Sequence, residues 1–219
     1  MKRIRNYSKL ISHYADFPKK DVMYHDFTPL LMDVGAFRDC IKEIANHFRH
    51  MTITKIVAVE SKGFIIGSAL AYALSKPLVL IRKPGLIPGK TLRERFIKEY
   101  GEAEYQLKEG FLGKWDAVLI VYDIMAGSGA TKAAINLVEK TGAKVAGCAY
   151  IIELEYLFGR EVLKGYEMFS LIKIGVKEDK NSGKKDKEKH ATARTGKNPA
   201  GFLSPCLRRF TSFNATARI

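Results

Sequence analysis

The sequence predicts an α/β fold, a mainly parallel twisted sheet flanked by helices. Three observations carry this: four short runs are continuously apolar, segments of helical period lie between them, and a turn of small residues leads one run into the helix after it.

In chain order, residues 35–50 place Phe37, Ile41, Ile44, Ala45 and Phe48 at helical spacing, with Arg38, Lys42, Glu43 and Arg49 for the opposite face. That pattern predicts an amphipathic helix. Ile56-Val57-Ala58-Val59 is too continuous for a sheet with one wet face and predicts a strand covered on both sides. Residues 64–74 predict a helix and Leu78-Val79-Leu80-Ile81 a second strand. Residues 83–106 are polar, charged and glycine-bearing, long for a connection in a compact domain, and predict a loop serving as a mobile lid. A third buried strand at 117–121, a loop over 122–131, a helix over 131–140 and a fourth strand at 145–152 complete the pattern. In such sheets ligands bind beyond the carboxyl ends of the strands, so chemistry is expected just after Val59, Ile81, Val121 and Ile152.

Composition narrows the class. The chain has 219 residues, 47% hydrophobic and 27% charged, which excludes collagen, coiled coil and full disorder. It lacks ~18 uninterrupted apolar residues, and the basic start Met1-Lys2-Arg3 is not followed by the apolar core of a secretion signal, so a cytoplasmic protein is expected. Cys40, Cys148 and Cys206 have neither disulfide-framework nor metal-ligand spacing and are expected to be reduced thiols. The formal charge is +14, and half of the excess lies from Lys177 onward, where eleven basic residues face four acidic ones. The run KEDKNSGKKDKEK has no periodic apolar face, which predicts a domain over 1–176 and a basic, disordered tail over 177–219. Such a tail reads as a solvated appendage or as a weak attraction for RNA or acidic surfaces.

The third strand leads into Tyr122-Asp123-Ile124-Met125-Ala126-Gly127-Ser128-Gly129-Ala130-Thr131. A strand feeding a small-residue turn into a helix exposes backbone N–H groups at the positive end of the helix dipole, a cradle for a phosphate. The loop lacks the Gly-Lys-Ser/Thr ending of a Walker A motif, and Lys132 stands where the third glycine of a dinucleotide fingerprint would be. A tight connection without a ligand has the same local signature. Taken singly, Lys62, Lys83 and Glu99 read equally well as solvated surface residues.

Together, the apolar strand, the acid at its end and the small hydroxyl-bearing loop resemble the phosphoribosyl-pyrophosphate (PRPP) signature of the type I phosphoribosyltransferases. The region as a whole resembles the adenine phosphoribosyltransferases among them. The resemblance rests on Asp16-Phe17-Pro18 followed by Val22-Met23-Tyr24-His25-Asp26-Phe27, on Glu60-Ser61-Lys62-Gly63-Phe64, on Ile81-Arg82-Lys83-Pro84-Gly85, and on Glu99-Tyr100-Gly101. Glu153-Leu154 and Gly159-Arg160-Glu161 complete the set in the right order.

The resemblance implies transfer of ribose 5-phosphate from PRPP to N9 of adenine, giving AMP and pyrophosphate, with Mg2+, in purine salvage by a homodimer. It implies that Lys62, Arg82 and Lys83 meet the pyrophosphate, that Glu99 assists removal of the adenine proton, and that Tyr100 closes over the ribose. Asp123 is implied for the ribose diol, and Ala126, Gly127, Ser128, Gly129, Ala130 and Thr131 for the 5-phosphate, with Ser128 and Thr131 supplying hydroxyls. Adenine is implied to meet the backbone of Met23 and His25, stacking on Tyr24 under a cover from Leu154. The chain departs from the family pattern at Lys62, usually arginine, at Leu86, usually basic, and at Tyr122, usually the first acid of a pair. Gly127, Ser128 and Ala130 stand where threonine, glycine and threonine are usual. These departures leave a second reading open, a catalytically degenerate member that binds AMP or PRPP as a regulatory or partner subunit.

Overall fold

The computed structural model describes residues 6–98 and 101–175. Glu99, Tyr100 and the basic segment with its proposed boundary lie outside the described residues.

A turn at Tyr7–Leu10 leads into two short strands, β1 (Ser12–Tyr14) and β2 (Tyr24–Asp26), paired antiparallel with His13 opposite His25. Helix α1 (Thr28–Met32) carries Pro29 in its first turn, where a missing N–H is no loss. Helix α2 (Val34–Phe48) starts where the Asp33 carboxylate accepts from the Ala36 N–H at 2.8 Å, satisfying one of the donors a helix start leaves free. It buries Ile41, Ile44 and Phe48 of the predicted face together with Ala36 and Cys40, while Phe37 and Ala45 are half-buried.

The central elements follow as β3 (Lys55–Val59), α3 (Gly63–Leu74), β4 (Leu78–Arg82), β5 (Thr91–Lys98), β6 (Gly101–Lys108), β7 (Ala117–Met125), α4 (Gly129–Lys140), β8 (Lys144–Leu154), α5 (Gly159–Val162) and β9 (Met168–Ile174). They build a seven-stranded sheet in the order β5-β6-β4-β3-β7-β8-β9. β4, β3, β7, β8 and β9 are parallel, and the β5–β6 hairpin adds an antiparallel edge. Alternation along each strand feeds two cores. Ile56, Leu119 and Val121 point to the side of α2 and α3, whereas Val57, Val59, Val118 and Ile120 point to the side of α4. Each fully buried aliphatic side chain contributes about 1.5–3 kcal/mol. Among the described residues no helix is long and apolar enough to cross a membrane. Cys40 and Cys148 are buried free thiols, and burial pushes both up to about 12, which leaves them unreactive.

Three sequence expectations are corrected. Residues 83–106 do not form one long loop, because 91–98 and 101–108 pair as a hairpin, from Thr91 opposite Lys108 to Lys98 opposite Gly101. The physical reason is period-two alternation masked by charge. Leu92, Phe96, Tyr105 and Leu107 turn to the core, while Arg93 and Arg95 stay at the surface around Glu104. The third predicted strand runs on to Met125, so Tyr122 and Asp123 belong to a strand and not to the loop. A last strand, Met168–Ile174, pairs in parallel with β8 and carries no such continuous apolar run.

Candidate functional site

β3 and β7 are neighbours, yet β3 sends its chain through α3 to β4 on one side and β7 sends its chain through α4 to β8 on the other. Their carboxyl ends flank a switch point, where an open α/β sheet leaves a crevice. Gly63 opens α3 against β7: a Cβ there would meet the Val121 carbonyl oxygen at 2.8 Å, so only glycine lets the two strand ends come this close.

Lys62, the last residue before α3, is the hub. Its Nζ donates to the Tyr24 hydroxyl at 2.5 Å and lies 4.7 Å from the centre of that ring and 5.4 Å from that of Phe27. Its charge also reaches Asp123 on β7. Asp123 is half-buried. Desolvation raises its carboxyl above the ordinary range, Lys62 opposes that rise, and the backbone N–H groups of Asp123 and Ile124 help to hold it. Lys62 is thus bonded to the β2 segment, and its positive charge favours the ionised form of Asp123 on β7.

On the other side of β3, Glu60 is engaged. Its Oε2 accepts from Arg82 Nε at 3.2 Å and from the Lys83 backbone N–H at 3.0 Å, closing β3 against β4. Arg82 also donates to the Leu86 carbonyl at 3.0 Å, and its guanidinium lies 5.9 Å from the Phe64 ring centre. Lys83 is exposed, with its ammonium free of any ion pair among the described residues. The sequence sets Glu60 in the same block as Lys62, but its pairing with Arg82, 22 residues on, is visible only in the structure.

The loop Ala126, Gly127, Ser128 leads into α4, whose first turn holds Gly129 and Ala130. Ser128 caps the helix by position only, since its side chain makes no cap bond. The first N–H groups of α4 have no partner within their own helix, as at any helix start. Thr131 requires a correction. It is buried, and its Oγ1 accepts from the Tyr150 hydroxyl at 3.2 Å, so this hydroxyl faces the core and not the loop. The β5–β6 hairpin covers the loop from the other side: a Cβ on Gly129 would lie 2.8 Å from the Ile97 carbonyl oxygen.

The β1–β2 pair and the end of β8 supply the remaining predicted residues. Met23 is half-exposed, Tyr24 is partly covered, and His25 points inward with its Nδ1 2.7 Å from that of His13. Leu154 is buried in the core under α2 and α3. Beside it, Glu153 is buried and takes a two-pronged bond from Arg160, Nε to Oε1 at 2.8 Å and Nη2 to Oε2 at 2.7 Å. The resemblance quotes both residues without a role; the structure shows them as partners. Electrostatically the crevice offers a helix start and the cations Lys62, Arg82 and Lys83 against the acids Glu60 and Asp123. That set suits a ligand with phosphates at both ends and a polar middle.

Residues 33–198 match the model of the phosphoribosyl transferase domain, a match that continues past Val176. An adenine phosphoribosyltransferase from Desulfitobacterium hafniense is 41% identical over 168 residues, 77% of this chain and 97% of the relative. Among solved structures, an adenine phosphoribosyltransferase from Thermoanaerobacter pseudethanolicus superposes with a TM-score of 0.74 at 36% identity, over 77% of this chain and 98% of that one. A Giardia lamblia structure of the same enzyme type, complexed with 9-deazaadenine, gives 0.75 at 32% identity, over 80% of this chain and 99% of that one.

Proposed function

The chain belongs to the phosphoribosyltransferase domain family, and within it to the adenine phosphoribosyltransferases; from that premise we propose that it carries adenine to AMP at the crevice between β3 and β7. The observation that carries this reading is Lys62, which contacts Tyr24 on the base side and acts on Asp123 on the ribose side.

In the proposed reaction the adenine N9 lone pair forms a bond to the anomeric carbon of PRPP as the bond from that carbon to pyrophosphate breaks. The N9 proton leaves to a base, a role we assign to Glu99, and Tyr100 closes over the ribose. Loop backbone from Ala126 to Ala130 and the start of α4 hold the 5-phosphate, while Asp123 accepts from the ribose hydroxyls. Lys62, Arg82 and Lys83 neutralise the leaving pyrophosphate. The backbones of Met23 and His25 read the base edge, with Tyr24 and Leu154 on its faces. A relative crystallised with a deaza-adenine supports that choice of base.

Magnesium fits as a companion of the substrate. Mg2+ keeps most of its waters and takes one or two carboxylates plus substrate phosphates. Among the described residues no cluster of three or more ligating side chains stands ready for an ion, while Asp123 offers a carboxylate beside the proposed phosphates. When bound, the ion would screen the charge of the departing pyrophosphate.

The free thiols Cys40 and Cys148 support work in a reducing compartment, the cytoplasm. A homodimer is proposed through α3, which is apolar on its open side as well as its covered one, with Ile65 and Tyr72 exposed.

The test is AMP formation from adenine, PRPP and Mg2+ by wild type and Asp123→Asn. Turnover by wild type and its loss in the variant supports the enzyme. A folded protein that binds AMP without turnover supports the degenerate, regulatory reading instead.

A further inference from the structure

We propose that Arg160 is a positioning residue that holds the phosphate loop and the Leu154 cover at a fixed separation. The proposal rests on the reading of the crevice as a nucleotide site.

Two contacts motivate it. First, Arg160 gathers two separate strands, β8 and β9. Beyond its fork on Glu153 it donates through Nη1 to the Met168 carbonyl at 3.1 Å, and Nη2 lies 3.5 Å from the Ser170 hydroxyl. Glu153 precedes Leu154 directly and pairs in register with Met125 on β7 and Lys173 on β9. The guanidinium therefore fixes the last residues of β8 against the start of β9, and it does so with a planar fork that a point charge does not reproduce.

Second, the residue before Arg160 touches the loop. A Cβ on Gly159 would lie 2.8 Å from the Ala126 carbonyl oxygen, 3.4 Å from Met125 Cγ and 3.6 Å from the Gly127 carbonyl carbon. The start of α5 is thus seated on the back of the phosphate loop, backbone against backbone. Any motion of Arg160 relative to Glu153 is transmitted through Gly159 to Ala126 and Gly127, and through Glu153 to Leu154. Arg160 directs its donors to Glu153, Met168 and Ser170. Its action is on where the two binding elements stand.

The experiment uses Arg160→Lys and Gly159→Ala in the full chain, each with a thermal melt, the Kd for AMP, and KM for PRPP and adenine measured separately from kcat. The expected result is a folded protein with Kd for AMP and both KM values raised about tenfold and kcat changed much less. Gly159→Ala presses a Cβ against the Ala126 carbonyl oxygen and so displaces the loop directly; it should give the same rise in Kd and both KM values, with its own fall in Tm. If either variant melts lower but keeps wild-type Kd and KM, the pair is structural only and the proposal is overturned. If Arg160→Lys fails to fold, Gly159→Ala alone decides. Should wild type bind AMP without turnover, the enzymatic reading fails while the Kd ratio still tests the positioning. Should it bind no AMP, both fall.

Discussion

The hydroxyls of Tyr122, on β7, and Tyr105, on β6, lie 2.8 Å apart, tying the hairpin to the strand that carries Asp123. Burial raises both phenols far from neutral pH, so the bond joins two neutral groups. Tyr122 stands where the family resemblance expects the first acid of a pair, and its side chain is turned toward the core shared with α4 rather than left at the rim.

Tyr122→Phe strands the buried Tyr105 hydroxyl and is expected to lower stability by about 1–3 kcal/mol, read from denaturant melts. Tyr122→Asp puts a carboxylate into the same enclosed space next to Asp123. Lower Tm and no gain in turnover are expected; a faster enzyme would show that the native tyrosine impairs the loop.

Asp123→Asn should separate function from stability. With the folded pKa raised above 3.8, the penalty for this carboxylate begins as pH rises past the unfolded value and is complete above the folded one. At neutral pH the amide is therefore expected to melt higher than wild type while kcat/KM falls at least about tenfold. A variant that melts lower contradicts the assignment of burial as the dominant cause.

Lys62→Met removes the cation between Tyr24 and Asp123, and KM for PRPP is expected to rise roughly tenfold or more. Lys62→Arg should stay within a few-fold of wild type, because a guanidinium supplies the same charge. Equal KM values for Lys62→Met and wild type would remove this lysine from the site.

The His13–His25 contact predicts acid sensitivity. Burial first, then the neighbouring His13, lowers the pKa of His25 below 6.5, so stability present above that value is lost as pH falls through it. Among the described residues its Nε2 is a buried nitrogen without a partner, which further disfavours the doubly protonated ring. Wild type should lose Tm as pH falls below about 6.5 more steeply than His25→Leu. Parallel slopes would show that other groups control the acid limb.

How much of this was legible in the sequence follows from which signals survive folding. β3, β4 and the start of β7 were visible because strands covered on both faces need unbroken apolar runs, and α2 because its one buried face repeats at helical spacing. The hairpin was not. Arg93 and Arg95 alternate with Leu92 and Phe96, and charge density hid the period. Lys62, Arg82 and Asp123 follow the apolar runs in the sequence, and the structure sets them close to the carboxyl ends of β3, β4 and β7. Their neighbours Glu60, Tyr105 and Thr131 have roles set by partners 22, 17 and 19 positions away, which no local pattern encodes.

Gly129 and the Ile97 carbonyl leave no space for a methyl group between them. The hairpin and the start of α4 thus share one wall. The backbone of β5 therefore closes one side of the helix start proposed to hold the 5-phosphate, and the hairpin's position sets the room left there. A side chain at 129 would have to push β5 and the start of α4 apart, so this glycine sets the width of the space between hairpin and helix.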